Sequence, residues 1–287
     1  MNYRHAFHAG NFADAAKHLA LMLVLEHLAK KDKPFAVLDT HAGRGRYVLD
    51  RDEAARTGEA GDGITRLIAA TDPPEAVSQY LALIAEHRKA FGETSYPGSP
   101  LIAAAALRKQ DRLLAIEAHR EEAAGLKKLL ANFDRATVTA ADGWAAIKAK
   151  LPPIERRGLI LIDPPYEAEN EERRVIDALR EGRKRFATGI FLAWYPIKAR
   201  ARHRDFHKSL ARLGFDNLWA ADLMVQASDV PDRLNGSGLL ICNPPYQFLE
   251  TYEAALKYLA NVLGRDRHAG ANVLALKRSP TAGSGRE

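Results

Sequence analysis

The stretch Gly158-Leu159-Ile160-Leu161-Ile162-Asp163-Pro164-Pro165-Tyr166 decides how this chain is read. Its first five residues are apolar without polar alternation, the pattern of a strand buried on both faces of a sheet. An acid, two prolines and a ring follow where that strand must end. Proline has no backbone N–H and a fixed φ, so the ladder stops there and the next loop is stiff. A carboxylate, a held carbonyl and an aromatic ring are thereby presented together at the carboxyl end of a central strand. That is the edge at which open α/β sheets bind ligands.

Outward from this strand the chain alternates strands and helices. Residues 35–38 read as a second short buried strand. It delivers Asp39 and then Thr40-His41-Ala42-Gly43-Arg44-Gly45, a loop whose glycines let backbone approach a ligand. Val48 stands where a dinucleotide fingerprint needs its third glycine, which disfavours pyrophosphate binding. Ser99 before Pro100 marks a helix start, with Ser99 as N-cap and the helix running to about residue 109. Strands follow at 112–116, ending in Glu117, and at 136–140, ending near Asp142 and Gly143, with a helix at 121–132 between them. Asp39, Glu117, Asp142 and Asp163 therefore each follow a strand. One such acid reads as a turn or surface residue; four in register along one sheet edge read as a binding site. Glu117 is suited to ribose hydroxyls, and Asp142 with the Gly143 N–H to a purine ring.

Beyond Tyr166 come a charged helix to about residue 184, a strand at 189–195 closed by Pro196, a basic amphipathic helix at 198–213, and an antiparallel pair at 218–226 and 238–242. The expected fold is α/β. Residues 1–47 and 96–277 form a Rossmann-like core with a seven-stranded sheet, 48–95 a helical insertion with a helix at 75–91, and 278–287 a flexible tail. Asn243-Pro244-Pro245-Tyr246 repeats the pattern of the central motif. Its place after the last strand, far from the glycine loop, favours Asp163 over Asn243.

The amino-terminal segment packs Tyr3, Arg4, His5, Phe7 and His8 ahead of Asn11, a helix N-cap with Asp14 three residues on. The helix continues to about residue 29. Such a density of rings and cations reads as a segment that closes over a bound ligand. Convergence of His5, His8, His18 and His41 on a metal is disfavoured: no two of these four are spaced i,i+4 on one helix, and the chain has no paired cysteines. No metal is expected. The single Cys242 excludes an internal disulfide and suits a reducing cytosol. No run is long and uncharged enough to span a bilayer, and the start lacks the apolar core of a secretion signal.

The net charge is +6, which points to a polyanionic partner. It is concentrated: residues 171–212 hold twelve Lys/Arg against five Asp/Glu, a local excess of seven, which leaves the rest of the chain at −1. Arg183-Lys184-Arg185 and the series Lys198, Arg200, Arg202, Arg204, Lys208 and Arg212 follow the central strand or the next one. Charge alone reads equally as a solvated helix face or as phosphate contacts, and the place of these runs beside the same cleft favours phosphate contacts.

Asp-Pro-Pro-Tyr at a strand end resembles the catalytic motif of amino-group methyltransferases that use S-adenosylmethionine. The exocyclic amine of adenine is a poor nucleophile because its lone pair is delocalised into the ring. Two acceptors, the Asp163 carboxylate and the Pro164 carbonyl, draw its hydrogens, while Tyr166 stacks on the base. Such a base must be single-stranded or flipped. Four stretches, Tyr3 through Asn11, Asp39 through Tyr47, Tyr96-Pro97-Gly98-Ser99-Pro100 and Arg156 through Tyr166, together resemble the bacterial large-subunit ribosomal RNA methyltransferase family J over nearly the whole chain. The resemblance implies N6-methylation of one adenine in 23S ribosomal RNA, protein-free or in an early assembly intermediate, by a cytoplasmic monomer. It implies that Lys17, His18, His41, Ser99, Glu117, Asp142, Gly143 and Asp163 line the S-adenosylmethionine site. It also implies that Asp163, with Pro164 and Tyr166, acts on the amine, and that Tyr3, with Arg4 and His5 beside it, meets the RNA. A DNA adenine-N6 methyltransferase and a non-catalytic nucleic-acid-binding protein are the alternatives.

Overall fold

The structure, a computed structural model, describes residues 7–50, 58–231 and 233–276. Its elements run α1 (Phe12–Ala29), β1 (Ala36–Asp39), β2 (Arg46–Val48), a π-helical turn (Gly61–Thr65) entering α2 (Arg66–Ile68), α3 (Glu75–Phe91), β3 (Ser95–Pro97), α4 (Ser99–Ala106), β4 (Arg112–Glu117), α5 (Arg120–Leu129), β5 (Ala136–Ala140), α6 (Gly143–Lys150), β6 (Gly158–Ile162), α7 (Glu171–Arg185), β7 (Ile190–Ile197), α8 (Arg200–Ala211), β8 (Leu218–Met224), β9 (Gly236–Cys242), α9 (Phe248–Leu263) and β10 (Gly270–Ala275).

Eight strands form one sheet in the order β10-β8-β9-β7-β6-β1-β4-β5. The five from β7 to β5 are parallel to one another. Every residue of β6 is buried, as a strand covered by helices on both faces must be. Ala36 pairs with Gly158 and Asp39 with Leu161, so the carboxyl ends of β1 and β6 come out on one edge together. Two apolar clusters fill the space on either face. One gathers α1, α3, α4 and α9; the other gathers side chains from α6, α7 and α8.

The insertion is closed at its neck by a small antiparallel pair, Arg46 opposite Pro97 and Val48 opposite Ser95. It packs on α1 through its π-helical turn, whose Ile64 N–H donates to the Gly10 carbonyl at 2.8 Å. Gly63 lies so close that a Cβ there would stand 2.2 Å from that same carbonyl.

Several expectations need correction. The sheet has eight strands, not seven: β10 pairs antiparallel with β8 at the edge. It is half-exposed on both faces, so its sequence shows no hydrophobic alternation. Pro196 does not close β7, which continues to Ile197 with Pro196 opposite Ser237. Pairing with β6 ends at Ala193, so beyond it one edge of β7 has no ladder for a proline to break. The N-cap of α4 is Gly98, Ser99 is its first residue, and the helix ends at Ala106. The tail at 278–287, and Tyr3, Arg4 and His5, lie outside the described residues.

The close approach of β1 and β6 gives a paired stability test. A Cβ at Gly158 would meet the Ala36 carbonyl oxygen at 2.0 Å, whereas one at Gly125 in α5 meets nothing within 4 Å. Gly158→Ala should destabilise by about 1–3 kcal/mol or more. Gly125→Ala should be neutral or stabilise by up to ~1 kcal/mol through the helix backbone. Thermal unfolding of both variants against wild type checks the pair.

Candidate active site

A cavity of about 870 Å³ opens at the carboxyl edge of the parallel strands. Asp163-Pro164-Pro165-Tyr166 forms one wall, His41-Ala42-Gly43 and Glu117-Ala118-His119 another, and α1 the floor. The last side is a lip contributed by Trp194, Lys198 and the loop through Asp229 and Arg233.

The Asp163 carboxylate is held from α1. Lys17 Nζ makes a short ion pair with Asp163 Oδ2 and lies 3.1 Å from Asp14 Oδ1. Lys17 and Asp14 are 4% and 1% exposed and Asp163 15%, so water screens these charges little. Sequence places Lys17 next to Asp14 by helical spacing; its partner Asp163 is 146 residues away and invisible to local pattern. The start of α1 is itself fixed. The Asn11 side chain accepts from Asp14 N at 2.9 Å, and Asp14 Oδ2 accepts from Gly10 N at 2.9 Å. Glu59 of the insertion accepts from Asn11 Nδ2 and pairs with His8 Nδ1, each at 2.9 Å. That pairing raises the His8 pKa. Glu59 and Asp14 line the cavity and belong to the site, although composition and spacing do not single them out.

Tyr166 adopts φ +51, a left-handed conformation that costs a bulky side chain on the order of 1–3 kcal/mol. Its hydroxyl donates to the Trp194 carbonyl at 3.1 Å, and its ring meets Trp194 edge-on at 5.4 Å. The two rings form a fixed corner beside Asp163.

On the opposite wall, Gly43 has φ +60 and donates its N–H to Glu117 Oε2 at 2.8 Å, while His119 N–H donates to Oε1 at 2.7 Å. Arg44 grips Glu122 with two hydrogen bonds, which pins the glycine loop to α5. Thr40 donates its hydroxyl proton to the Leu161 carbonyl at 3.0 Å, so Nδ1 of His41, 2.8 Å from Thr40 Oγ1, is the donor to that hydroxyl oxygen. Nε2 of His41 is left as an acceptor. Burial and the Arg174 charge bring the His41 pKa down to about 3, so the ring is neutral.

Of the residues singled out from sequence, Lys17, His18, His41, Ser99, Glu117, Asp163, Pro164 and Tyr166 line the cavity. Asp142 and Gly143 are not in its wall. Asp142 caps α6 by accepting from Trp144 N at 3.2 Å. Gly143 packs against the Thr40 carbonyl, where a Cβ would stand 1.9 Å away, and so supports the His41 loop from behind. His18 Nδ1 lies 2.9 Å from the Tyr96 hydroxyl, which in turn meets that of Tyr80, joining α1 to the insertion. Ser99 donates to Asp39 Oδ2 at 2.7 Å. Asn243 is remote. Because β9 runs antiparallel to β7, Cys242 pairs with Phe191 at the far edge of the sheet. The amide of Asn243 is consumed there by Arg183 and the carbonyls of Ala187 and Gly189, and Tyr246 is 82% exposed. Arg183 thus marks that far edge, so its basic cluster does not flank the cavity, whereas Lys198 does.

This architecture, a parallel-centred sheet with its acidic edge open to a cavity, is the Rossmann-like fold of class I S-adenosylmethionine-dependent methyltransferases. Residues 32–274 match the family described as "Ribosomal RNA large subunit methyltransferase D, RlmJ". Two proteins named ribosomal RNA large subunit methyltransferase J, from Escherichia coli (strain K12) and Haemophilus influenzae, are each 41% identical over 92% of this chain and 94% of their own. A crystal structure of a Legionella pneumophila protein, 32% identical, aligns over 93% of this chain and 97% of that one with a TM-score of 0.84. The chain belongs to the ribosomal RNA large subunit methyltransferase J family. Among the described residues no helix is long and apolar enough to cross a membrane.

Asp39 supplies a pH test. Burial raises its pKa from 3.8 to about 7 against the opposing hydrogen bond from Ser99. Between about pH 4 and pH 7 the folded state therefore holds a proton that the unfolded state has lost, and stability through this group falls as pH rises. Asp39→Asn lacks that component. Its unfolding free energy relative to wild type should shift in the variant's favour between pH 4.5 and pH 7.5, as read by denaturant titration at each pH.

Proposed function

We propose that the protein transfers a methyl group from S-adenosylmethionine to the N6 amine of an adenine in 23S ribosomal RNA. The observation that carries this reading is the Asp163 carboxylate, fixed through Oδ2 by Lys17 and set beside the Tyr166–Trp194 corner in a cavity open to solvent. Family membership supports the ribosomal RNA substrate and the methyl donor.

The residues present fit the donor. Glu117 keeps lone pairs beyond those used by Gly43 and His119, as ribose hydroxyls require, and the glycine loop leaves no side chain between backbone and cavity at Gly43. The ordinary neutrality of His41 suits a thioether and an adenine rather than a phosphate. Bound there, S-adenosylmethionine supplies an electrophilic methyl carbon. With Oδ2 engaged by Lys17, Asp163 Oδ1 accepts one hydrogen of the adenine amine and the Pro164 carbonyl accepts the other. This localises the nitrogen lone pair toward the methyl carbon. Asp163 would take up the amine proton that methylation makes surplus. Tyr166, held by its hydroxyl, stacks on the base. Lys198 and the exposed Arg200, Arg202, Arg204 and Lys208 of α8 lie where the flanking phosphates would pass. A base in a duplex cannot enter this cavity, which favours protein-free RNA or an early assembly intermediate in the cytoplasm.

Incubation of the purified protein with methyl-labelled S-adenosylmethionine and protein-free 23S RNA, followed by digestion to nucleosides, should yield label in N6-methyladenosine. Label in another nucleoside, or transfer only to duplex DNA, would refute the assignment. Asp163→Ala should lower the single-turnover rate about 10²–10⁴-fold. The fold should persist, because Asp14 still neutralises the buried Lys17.

A further inference from the structure

Beside the cavity, α8 and β8 bring together two imidazoles and a carboxylate. His203 and His207 are four residues apart on α8 and share a face, and Asp222 lies across from them on β8. Nε2 of His203 is 3.0 Å from Asp222 Oδ2, and Nε2 of His207 is 4.0 Å from Oδ1. The three ligand atoms all lie within 4.8 Å of one another. Asp222 is 5% exposed, and the His203 and His207 side chains are 19% and 13% exposed.

A hydrogen-bonded cluster explains part of this arrangement. Tyr195 donates its hydroxyl to Asp222 Oδ1 at 2.5 Å, and its oxygen stands 2.8 Å from His207 Nε2. It does not explain His203. Nε2 there is buried and makes no hydrogen bond among the described residues, although a carboxylate oxygen is 3.0 Å away. The oxygen is near enough but off the hydrogen-bonding line, the relation of two atoms that share a third centre. Zinc bonds of about 2.0–2.2 Å at tetrahedral angles put neighbouring ligand atoms about 3.3–3.6 Å apart. The 3.0 and 4.0 Å separations bracket that spacing.

We propose that His203, His207 and Asp222 form a binding site for a divalent transition cation of the zinc class, which ties α8 to the sheet. Two imidazoles and one carboxylate are a donor set of that class, distinct from the all-oxygen sets of magnesium and calcium. The Tyr195 hydroxyl orients the ligating carboxylate from behind, as hydrogen-bond donors in the outer shell of metal sites do, and binding requires the His207 ring to exchange the Nε2–H by which it meets the Tyr195 oxygen for a proton on Nδ1. The expectation of no metal weighs only the histidines at 5, 8, 18 and 41 and passes over His203 and His207, an i,i+4 pair on α8. The site clamps the helix that carries Arg200, Arg202, Arg204 and Lys208 onto β8, through a tyrosine that follows the cavity residue Trp194 in β7. Its role is to position that basic helix, and the methyl-transfer chemistry of the cavity does not pass through it.

Untagged full-length protein, stripped with chelator, would be titrated with Zn(II) by calorimetry and with Co(II) by visible absorption. One equivalent of each should bind, with a tetrahedral Co(II) spectrum and a higher Tm. His203→Gln and His207→Gln should each weaken binding at least tenfold, and Tyr195→Phe about tenfold. Failure of the wild-type protein to bind either ion overturns the proposal, independently of how the variants fold. So does undiminished one-to-one binding by the His203→Gln/His207→Gln double variant.

Discussion

An ammonium group cannot be buried without counter-charge, and Lys17 is buried in the floor of the cavity. It is held between Asp163 and Asp14, and this triad joins α1 to the lip of the central strand. Removing one partner from a buried ion pair costs about 3–5 kcal/mol, because a desolvated charge is left behind. A second carboxylate shares the load: Asp14 also faces Lys17, and one oxygen of Asp163 stays outside the ion pair. The rest of the site follows from holding α1 at the rotation that points Lys17 at β6. The Asn11 cap, the Glu59 bridge and the close contact of Gly63 on the Gly10 carbonyl all act on the first turn of that helix. The insertion therefore supports the cavity floor from outside, although it contributes few residues to the cavity wall.

The direction of the strands then decides which motif faces the cavity. Strands β1, β4 and β6 run parallel and release Asp39, Glu117 and Asp163 on one edge. Reversal at β9 sends the second Pro-Pro-Tyr motif to the other edge, where Asn243 serves as a hydrogen-bonding plug for the start of β7. Two nearly identical tetrapeptides have different roles because their strands point in opposite directions. The left-handed Tyr166 adds a local constraint: its strain persists because its hydroxyl is tied to Trp194 and its ring is enclosed.

Much of this was legible in sequence where one physical rule acted alone. An unbroken apolar run gave β6, a cap followed by an acid gave α1, and acids after strands gave Glu117 and Asp163. What remained hidden arose from contacts between distant residues. Asp142 carries the residue type of a ligand contact, yet it caps α6 outside the cavity wall, whereas Ser99 lines the cavity and also donates to the buried Asp39. Pro196 reads as a terminator because sequence does not reveal that β6 ends first. Strand β10 lacks a pattern because it is an edge strand. The His203, His207 and Asp222 cluster requires α8 to be laid on β8 before its members meet.

The central claim is that Lys17 acts on the reaction through Asp163 by fixing one oxygen of its carboxylate. A double-mutant cycle on the single-turnover rate of RNA methylation tests it, using Lys17→Ala, Asp163→Asn and the double variant with saturating S-adenosylmethionine. If the claim holds, the double variant is no slower than the slower single variant. If the two losses multiply, Lys17 works independently of Asp163 and the account is contradicted.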